Sequence, residues 1–535
     1  MTLDRSFAAE TLSEHEILLL HRIDGLDLAR GPTTTLGQIA DGPGIPADQK
    51  AALAGRYAAS PVWKRAATSE AGQDFHRHIR EIVGGQREDL ATRWEPDELG
   101  RRFLERADLY DREVEPAQRA AKRLALRLSA AARSRLERHG IAVGDLLVRP
   151  SGIDLTLFRT GHGFAATRLE LARADGHALT ALELLEAQVL LARYGKLAWI
   201  DPRGAEGTSG APFLLADLVH RLVCGEDRPR HAPQRVTTYT YARFAGPLPP
   251  AARDRFAVYL ARHYTTDYAV APDIGNLAFV ADFETVRHAV ALEGAATVVG
   301  ATPERPELPA FLEDFRTVTF RRHYVPIALL ARHEHAFLVE RTSASVISRD
   351  EMEDHGRAVR HLEALRESAL LFRLCYRFSE LSYVSLHNAL NRAFRDVLHL
   401  DRMMAELTSD IASVEQHLRE LRDAEHRRLE LDKHRRYYWA TVLGGAALAG
   451  LTAYTIGKEL GELAIHVVAQ LRHEELPHAV ELIPGALGVL LALGVAAKAM
   501  QIGFRRGPPM HEEEHAGHLT MHGMLDHMIH AAMKK

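Results

Sequence analysis

Two uncharged apolar runs near the end of the chain constrain it more than any other feature of its 535 residues. Trp439 to Gly457 reads WATVLGGAALAGLTAYTIG, nineteen residues without a charge. A helix of that length covers roughly 28 Å, close to the thickness of a bilayer's hydrocarbon core. Leu482 to Ala497, LIPGALGVLLALGVAA, supplies sixteen more. Lys498 interrupts this second run, but apolar residues resume to Phe504, and a lysine near a helix end reaches the interface along its aliphatic stem. Pro484 suits the first turn of such a helix. The pattern predicts a transmembrane hairpin over 437–506, with spans at 439–457 and 482–504. The competing reading, two buried helices of a soluble domain, fits the charge-free runs and their flanks less well.

The flanks predict the orientation. Arg427, Arg428, Lys433, Arg435 and Arg436 precede the first span, and Lys498, Arg505 and Arg506 edge the second. Between the spans stand only Lys458 and Arg472, against Glu459, Glu462, Glu474, Glu475 and Glu481. Eight basic residues outside the hairpin against two within its loop put both termini in the cytoplasm, and Tyr437, Tyr438 and Trp439 anchor that interface. The first residues, MTLDRSFAAETLSEHE, lack a basic-then-apolar leader, so no signal peptide is expected and the bulk stays in the cytoplasm. Two isolated cysteines, Cys224 and Cys375, agree with a reducing compartment. The expected location is a bacterial inner membrane, with the lipid bilayer as one partner. Mean hydropathy of −0.18 hides all this because the decisive apolar residues are concentrated at one end. A net charge of −4 gives no support for a nucleic-acid partner.

Upstream lies the clearest periodicity. Leu400, Met404, Leu407, Ile411, Val414, Leu418 and Leu421 alternate spacings of four and three, with charged residues between them. Neither proline nor glycine occurs from Arg357 to Tyr438, which predicts long helices or a coiled coil over 350–436. A break around Leu398–Asp401 would leave two helices. The heptads pack either on the chain's own domain or on copies of itself, and the adjoining hairpin favours copies.

The soluble part reads as two regions. Residues 1–140 are expected to be helical, from Ala- and Arg-rich stretches such as PAQRAAKRLALRLSAAARSRLERHG. Over 141–345 strand-like runs interleave with helices, beginning with a hairpin whose turn is Thr160-Gly161-His162-Gly163, so an α+β or α/β cytoplasmic domain with a mixed sheet is expected. No phosphate-loop, Ser–His–Asp, HExxH or dinucleotide pattern appears, so no enzyme is expected. His333 and His335 share a face only on a strand, and their expected role is structural.

The tail, 507–535, holds six of the thirty histidines in its last 25 residues. His511, His515, His518 and His522 form one stripe if the tail is helical, a spacing suited to Zn²⁺, Ni²⁺, Co²⁺ or Cu²⁺. The stripe continues into Leu525 and Ile529, so an amphipathic docking helix fits as well.

An α/β cytoplasmic domain, a long helix and two C-terminal spans with both ends inside resemble the CorA-type divalent-cation transporter superfamily. The resemblance covers roughly residues 145 to 506. It implies a homo-oligomer, a pentamer, whose first spans line an axial pore and whose long helices form a metal-gated funnel. It implies a pore mouth at Gly457, Lys458, Glu459 and Glu462, and a cytoplasmic basic ring at Lys433, Arg435 and Arg436. The family's Gly-Met-Asn signature is replaced here by Gly457-Lys458-Glu459. The expected function is conduction or sensing of Mg²⁺, Co²⁺, Zn²⁺ or Ni²⁺. The alternative is a non-conducting sensor, scaffold, or stress or phage-defence effector with a cytoplasmic protein partner.

Overall fold

The computed structural model describes residues 7–42, 45, 47–55, 57–67, 72–101, 124–142, 146–193, 196–200, 208–228, 236–268, 277–345, 355–472 and 483–506. The chain divides into two compact units, Met1–Ser413 and Val414–Lys535.

The first unit is built on one sheet of twelve strands: β1 (Leu12–Asp24), β2 (Trp63–Arg65), β3 (Ala91–Pro96), β4 (Leu124–Leu126), β5 (Leu146–Phe158), β6 (His162–Arg173), β7 (Lys196–Ile200), β8 (Thr208–Leu214), β9 (Thr237–Phe244), β10 (Leu277–Phe283), β11 (Val286–Ala291) and β12 (Gly294–Val299). The order is β10-β11-β12-β9-β1-β6-β5-β4-β7-β8, with β3 pairing β5 and β2 pairing β3. Among these pairs β12 lies parallel to β9 and the others are antiparallel, which makes the sheet mixed. The expected β5–β6 hairpin is present, with Leu157 opposite Gly163 and Gly161 at φ 87°, where a side chain would be strained.

Eight helices carry the argument: α1 (Ala181–Arg193), α2 (Leu215–Cys224), α3 (Pro250–Arg262), α4 (Val325–Ala344), α5 (His355–Tyr376), α6 (Ser385–Val397), α7 (Leu400–Arg472) and α8 (Ile483–Arg506). Helices α1, α2 and α3 cover one face of the sheet, and α4, α5, α6 and the start of α7 cover the other. Strand β1 shows why both faces are needed. Its Ile17, Leu19 and Ile23 enter the first core, and its Leu18 and Leu20 enter the second. A strand covered on both sides has no polar face, so it reads as a continuous apolar run.

That observation corrects the expectation of an all-helical region 1–140. It contains β1, at the centre of the sheet, and β2, β3 and β4. The run Ile-Leu-Leu-Leu in β1 has no period of two, and periodicity alone does not separate such a strand from a buried helix.

The heptad expectation is corrected in its first half. Leu400, Met404, Leu407 and Ile411 lie in the second core of the first unit. They are therefore taken up by the chain's own domain, not by copies of it. Val414 is half-buried, Leu418 buried and Leu421 exposed. The helical stretch breaks twice, at 377–384 and at Leu398–His399, where His399 takes φ 53°. The second break falls where the sequence allowed one. The first has no proline or glycine to announce it.

A buried ionic joint fixes the second break. Arg395 on α6 donates to Glu334 on α4 at 2.8 Å and to Asp401, in the first turn of α7, at 2.6 Å. Arg377 also pairs with Asp401. The Glu334 and Arg395 side chains are 5% and 10% exposed, and Arg377 also stands 3.5 Å from Glu334, so the two arginines and two carboxylates balance one another's charge as a group. Burial pushes the Glu334 carboxyl up, against the pull of Arg395 and Arg377.

The second unit is a helical hairpin of α7 and α8 packed through small residues. A methyl carbon placed on Gly503 would lie 2.5 Å from Val442 Cγ1, one on Gly450 3.3 Å from the Ala492 carbonyl oxygen, and one on Gly461 2.7 Å from Pro484 Cα. The contacts run antiparallel from Val442/Gly503 to Gly461/Pro484, nineteen residues along α7 and roughly 29 Å at the helical rise.

Candidate functional site

The hairpin is the element whose chemistry sets it apart. Stretches of α7 and α8 are long and apolar enough to cross a membrane, with mean hydropathies of 1.3 and 1.8 over their most apolar windows. Only 17% and 11% of those windows are buried within the chain, which separates them from the core helices of a soluble protein. Leu448, Leu451, Leu490 and Leu493 are each more than 60% exposed. Leaving so much apolar surface in water costs about 25 cal/mol per Å². A bilayer or further helices relieve that cost.

The threonine hydroxyls of the first span are satisfied inside the helix. Thr441 donates to the Tyr437 carbonyl at 2.9 Å, Thr452 to Leu448 at 2.9 Å and Thr455 to Thr452 at 2.8 Å. Without water, a hydroxyl needs such a partner. At the opposite end from Lys458, Tyr438 donates to the Gly503 carbonyl at 3.1 Å and the Trp439 ring lies 4.7 Å from Phe504. These rings are the aromatic group expected at an interface.

The expected site residues on α7 each have a definite place. Gly457 is buried against α8: a methyl carbon on it would stand 2.9 Å from Gly488 Cα. Its role in this chain is therefore close helix packing. Lys458, Glu459 and Glu462 are exposed just beyond it, with Lys458 Nζ 3.7 Å from Glu462. The exposed pair partly cancels the lysine's charge. Lys433, Arg435 and Arg436 are exposed on α7 before the aromatic group. His511, His515, His518 and His522 lie outside the described residues.

In the first unit, His333 is fully buried on α4, stacked on Phe158 at 3.7 Å and joined to Thr160 Oγ1 at 2.8 Å. Burial holds His333 well below its usual range and His335 at about 4. Both act as neutral packing groups.

The residues that the sequence reading missed are Asp74, His323 and His387. Their ligand atoms lie within 4.8 Å of one another. They come from positions 74, 323 and 387 on three separate elements, so no local spacing brings them out. Asp74 precedes the short helix Arg77–Val83, His323 belongs to a π-helical stretch (Arg316–Tyr324) before α4, and His387 sits in the first turn of α6.

No family model and no curated protein matches this chain. Among solved structures it matches the CorA magnesium transporter from Methanocaldococcus jannaschii, with a TM-score of 0.20 and 10% identity, over 53% of this chain and 95% of that one.

Proposed function

We propose that this chain is a self-associating membrane protein of CorA-like layout that conducts or senses divalent metal cations. The observation that carries the reading is the exposed apolar surface of α7 and α8 in a helix pair joined to a folded α+β unit. Two helices enclose no pore, so conduction requires several copies around an axis, five by the resemblance in layout. The unpaired faces of α7 and α8 are then covered by lipid and by neighbouring copies.

In this reading the bacterial inner membrane holds the hairpin, and both termini are cytoplasmic. The exposed Lys433, Arg435 and Arg436 face the cytoplasm, and Lys458, Glu459 and Glu462 face the outer mouth. Of these three mouth residues, two are acidic and one basic, a net of one negative charge per copy that favours cations weakly. The histidines His511, His515, His518 and His522 supply a second metal-binding element near the cytoplasmic end.

The direct test is uptake of Mg²⁺, Co²⁺, Zn²⁺ and Ni²⁺ into proteoliposomes holding the purified protein. Uptake of any one supports conduction, and no uptake of all four removes it. A second reading, a non-conducting sensor or membrane effector with a cytoplasmic partner, is favoured by one observation: a lysine stands directly after the mouth glycine. Membrane depolarisation on induced expression, with no metal uptake by proteoliposomes, supports that reading.

A further inference from the structure

We propose that Asp74, His323 and His387 form a transition-metal site in the soluble unit, of the kind that takes Zn²⁺, Co²⁺ or Ni²⁺. The site rests on these residues alone and holds whether or not the hairpin conducts.

The scaffold comes first. Phe75 and Ser382 form an antiparallel bridge, His76 donates its backbone N–H to the Leu381 carbonyl at 2.9 Å, and Tyr383 donates to the Asp74 carbonyl at 3.1 Å. This pairing fixes the segment carrying Asp74 against the entry to α6, which carries His387. The His323 and His387 rings stack at 4.9 Å and 20°, and Phe75 meets both edge-on at 5.9 and 5.6 Å. His323 Nε2 lies 3.8 Å from Asp74 Oδ2.

Serine chemistry then assigns the His387 tautomer. Ser382 Oγ has one proton, and it points to the Asp74 carbonyl oxygen, a pure acceptor, at 2.7 Å. Toward His387 Nδ1, at 3.0 Å, the same oxygen therefore accepts. His387 Nδ1 carries the ring proton, which leaves the lone pair on Nε2. Metal-binding histidines are commonly oriented this way, by a hydrogen bond to the nitrogen that does not ligate.

The distances fit a site that closes on its ion. With metal–ligand bonds of about 2.05 Å, tetrahedral ligand atoms stand about 3.3 Å apart. The present separations, up to 4.8 Å, close by side-chain rotation, and Asp74 is 54% exposed and able to swing. Two imidazoles and one carboxylate select borderline metals over Mg²⁺, which prefers an all-oxygen shell. Bound metal would tie the 74–76 segment and the π-helical stretch to α6, the helix that ends at the turn into α7.

The test is Co²⁺ titration of the full-length protein in detergent, read by visible d–d absorption. The six tail histidines, His511, His515, His518, His522, His527 and His530, are replaced by alanine so that the tail cannot contribute. One Co²⁺ per chain with tetrahedral-type absorption is expected. Ser382→Ala is expected to weaken it about tenfold by releasing the His387 ring. Asp74→Asn and His387→Ala are expected to weaken it further. Asp74→Asn alters an exposed side chain and keeps the comparison valid if His387→Ala disturbs folding. Absorption that vanishes with the tail histidines, or that Asp74→Asn leaves unchanged, overturns the proposal.

Discussion

Replacing Gly488 by alanine tests the helix pair where backbone meets backbone. The new methyl carbon would lie 2.8 Å from the Tyr454 carbonyl oxygen, 3.0 Å from Tyr454 Cδ2 and 3.3 Å from the Lys458 nitrogen. Two of these are main-chain atoms of α7, which no rotamer change moves. Restoring ordinary carbon contacts of about 3.5 Å or more requires the helices to part by roughly half an ångström to an ångström, which forfeits about a quarter to a half of each contact's attraction. Overpacking of this kind costs about 1–3 kcal/mol, against about 0.8–1 kcal/mol gained by alanine over glycine inside a helix. The net expectation is a loss of about 0–2 kcal/mol, set by those two opposing effects. Gly494→Ala is the internal control, because nothing lies within 4 Å of a methyl carbon there. It has the same helix, the same chemistry and only the propensity gain, so its expected sign is opposite. Unfolding of both variants by SDS in mixed micelles, read by the fluorescence of Trp439 beside Phe504, measures the difference. Equal shifts for Gly488→Ala and Gly494→Ala would refute the helix pairing and its register.

Three further outcomes follow from the first unit. Arg395→Met leaves Glu334 buried without its 2.8 Å partner and is expected to cost about 3–5 kcal/mol in a denaturant titration, with Glu334→Leu added on top restoring part of it. Leu407→Ala, at a position with no solvent exposure, is expected to cost about 2–5 kcal/mol; an unchanged midpoint would return that residue to an oligomer contact. Burial lowers His15 and His335 to about 4, and His21 and His288 to about 3. Below the unfolded value near 6.5 the unfolded chain binds the extra protons, so stability falls as pH drops from 6.5 toward 4, by up to about 1.4 kcal/mol per pH unit for each histidine. A denaturant midpoint equal at pH 7 and pH 5 would contradict this.

Local pattern and tertiary consequence part company at identifiable residues. The β5–β6 hairpin and the α7 and α8 apolar runs were legible because each is set by its own sequence: a Gly-containing turn between alternating strands, and charge-free runs longer than any turn. Strand β1 was not, because burial on both faces erased the alternation that marks a strand. Its partners, β6 and β9, lie about 150 and 220 residues away in the chain, a separation no local reading bridges. The heptad from Leu400 was real as a helical stripe, but its partner depends on what the fold supplies, and for Leu400 to Ile411 that is the domain's own core. The break at 377–384 comes from tertiary pairing: Ser382 and Tyr383 bind the Asp74 carbonyl, and the chain leaves the helix to do so. The same pairing assembles Asp74 with His387, which is why the candidate metal site was invisible while the histidine-rich tail was conspicuous.

The central claim is that the α7–α8 hairpin crosses a membrane with both flanks on one side. Cysteines placed singly at Arg427, His466 and Arg505, in a chain with Cys224 and Cys375 replaced by serine, test it by labelling of spheroplasts with a membrane-impermeant maleimide. The account predicts that His466→Cys reacts in intact spheroplasts, whereas Arg427→Cys and Arg505→Cys react only after permeabilisation. Equal reaction of all three from the outside, or protection of all three until permeabilisation, would contradict it.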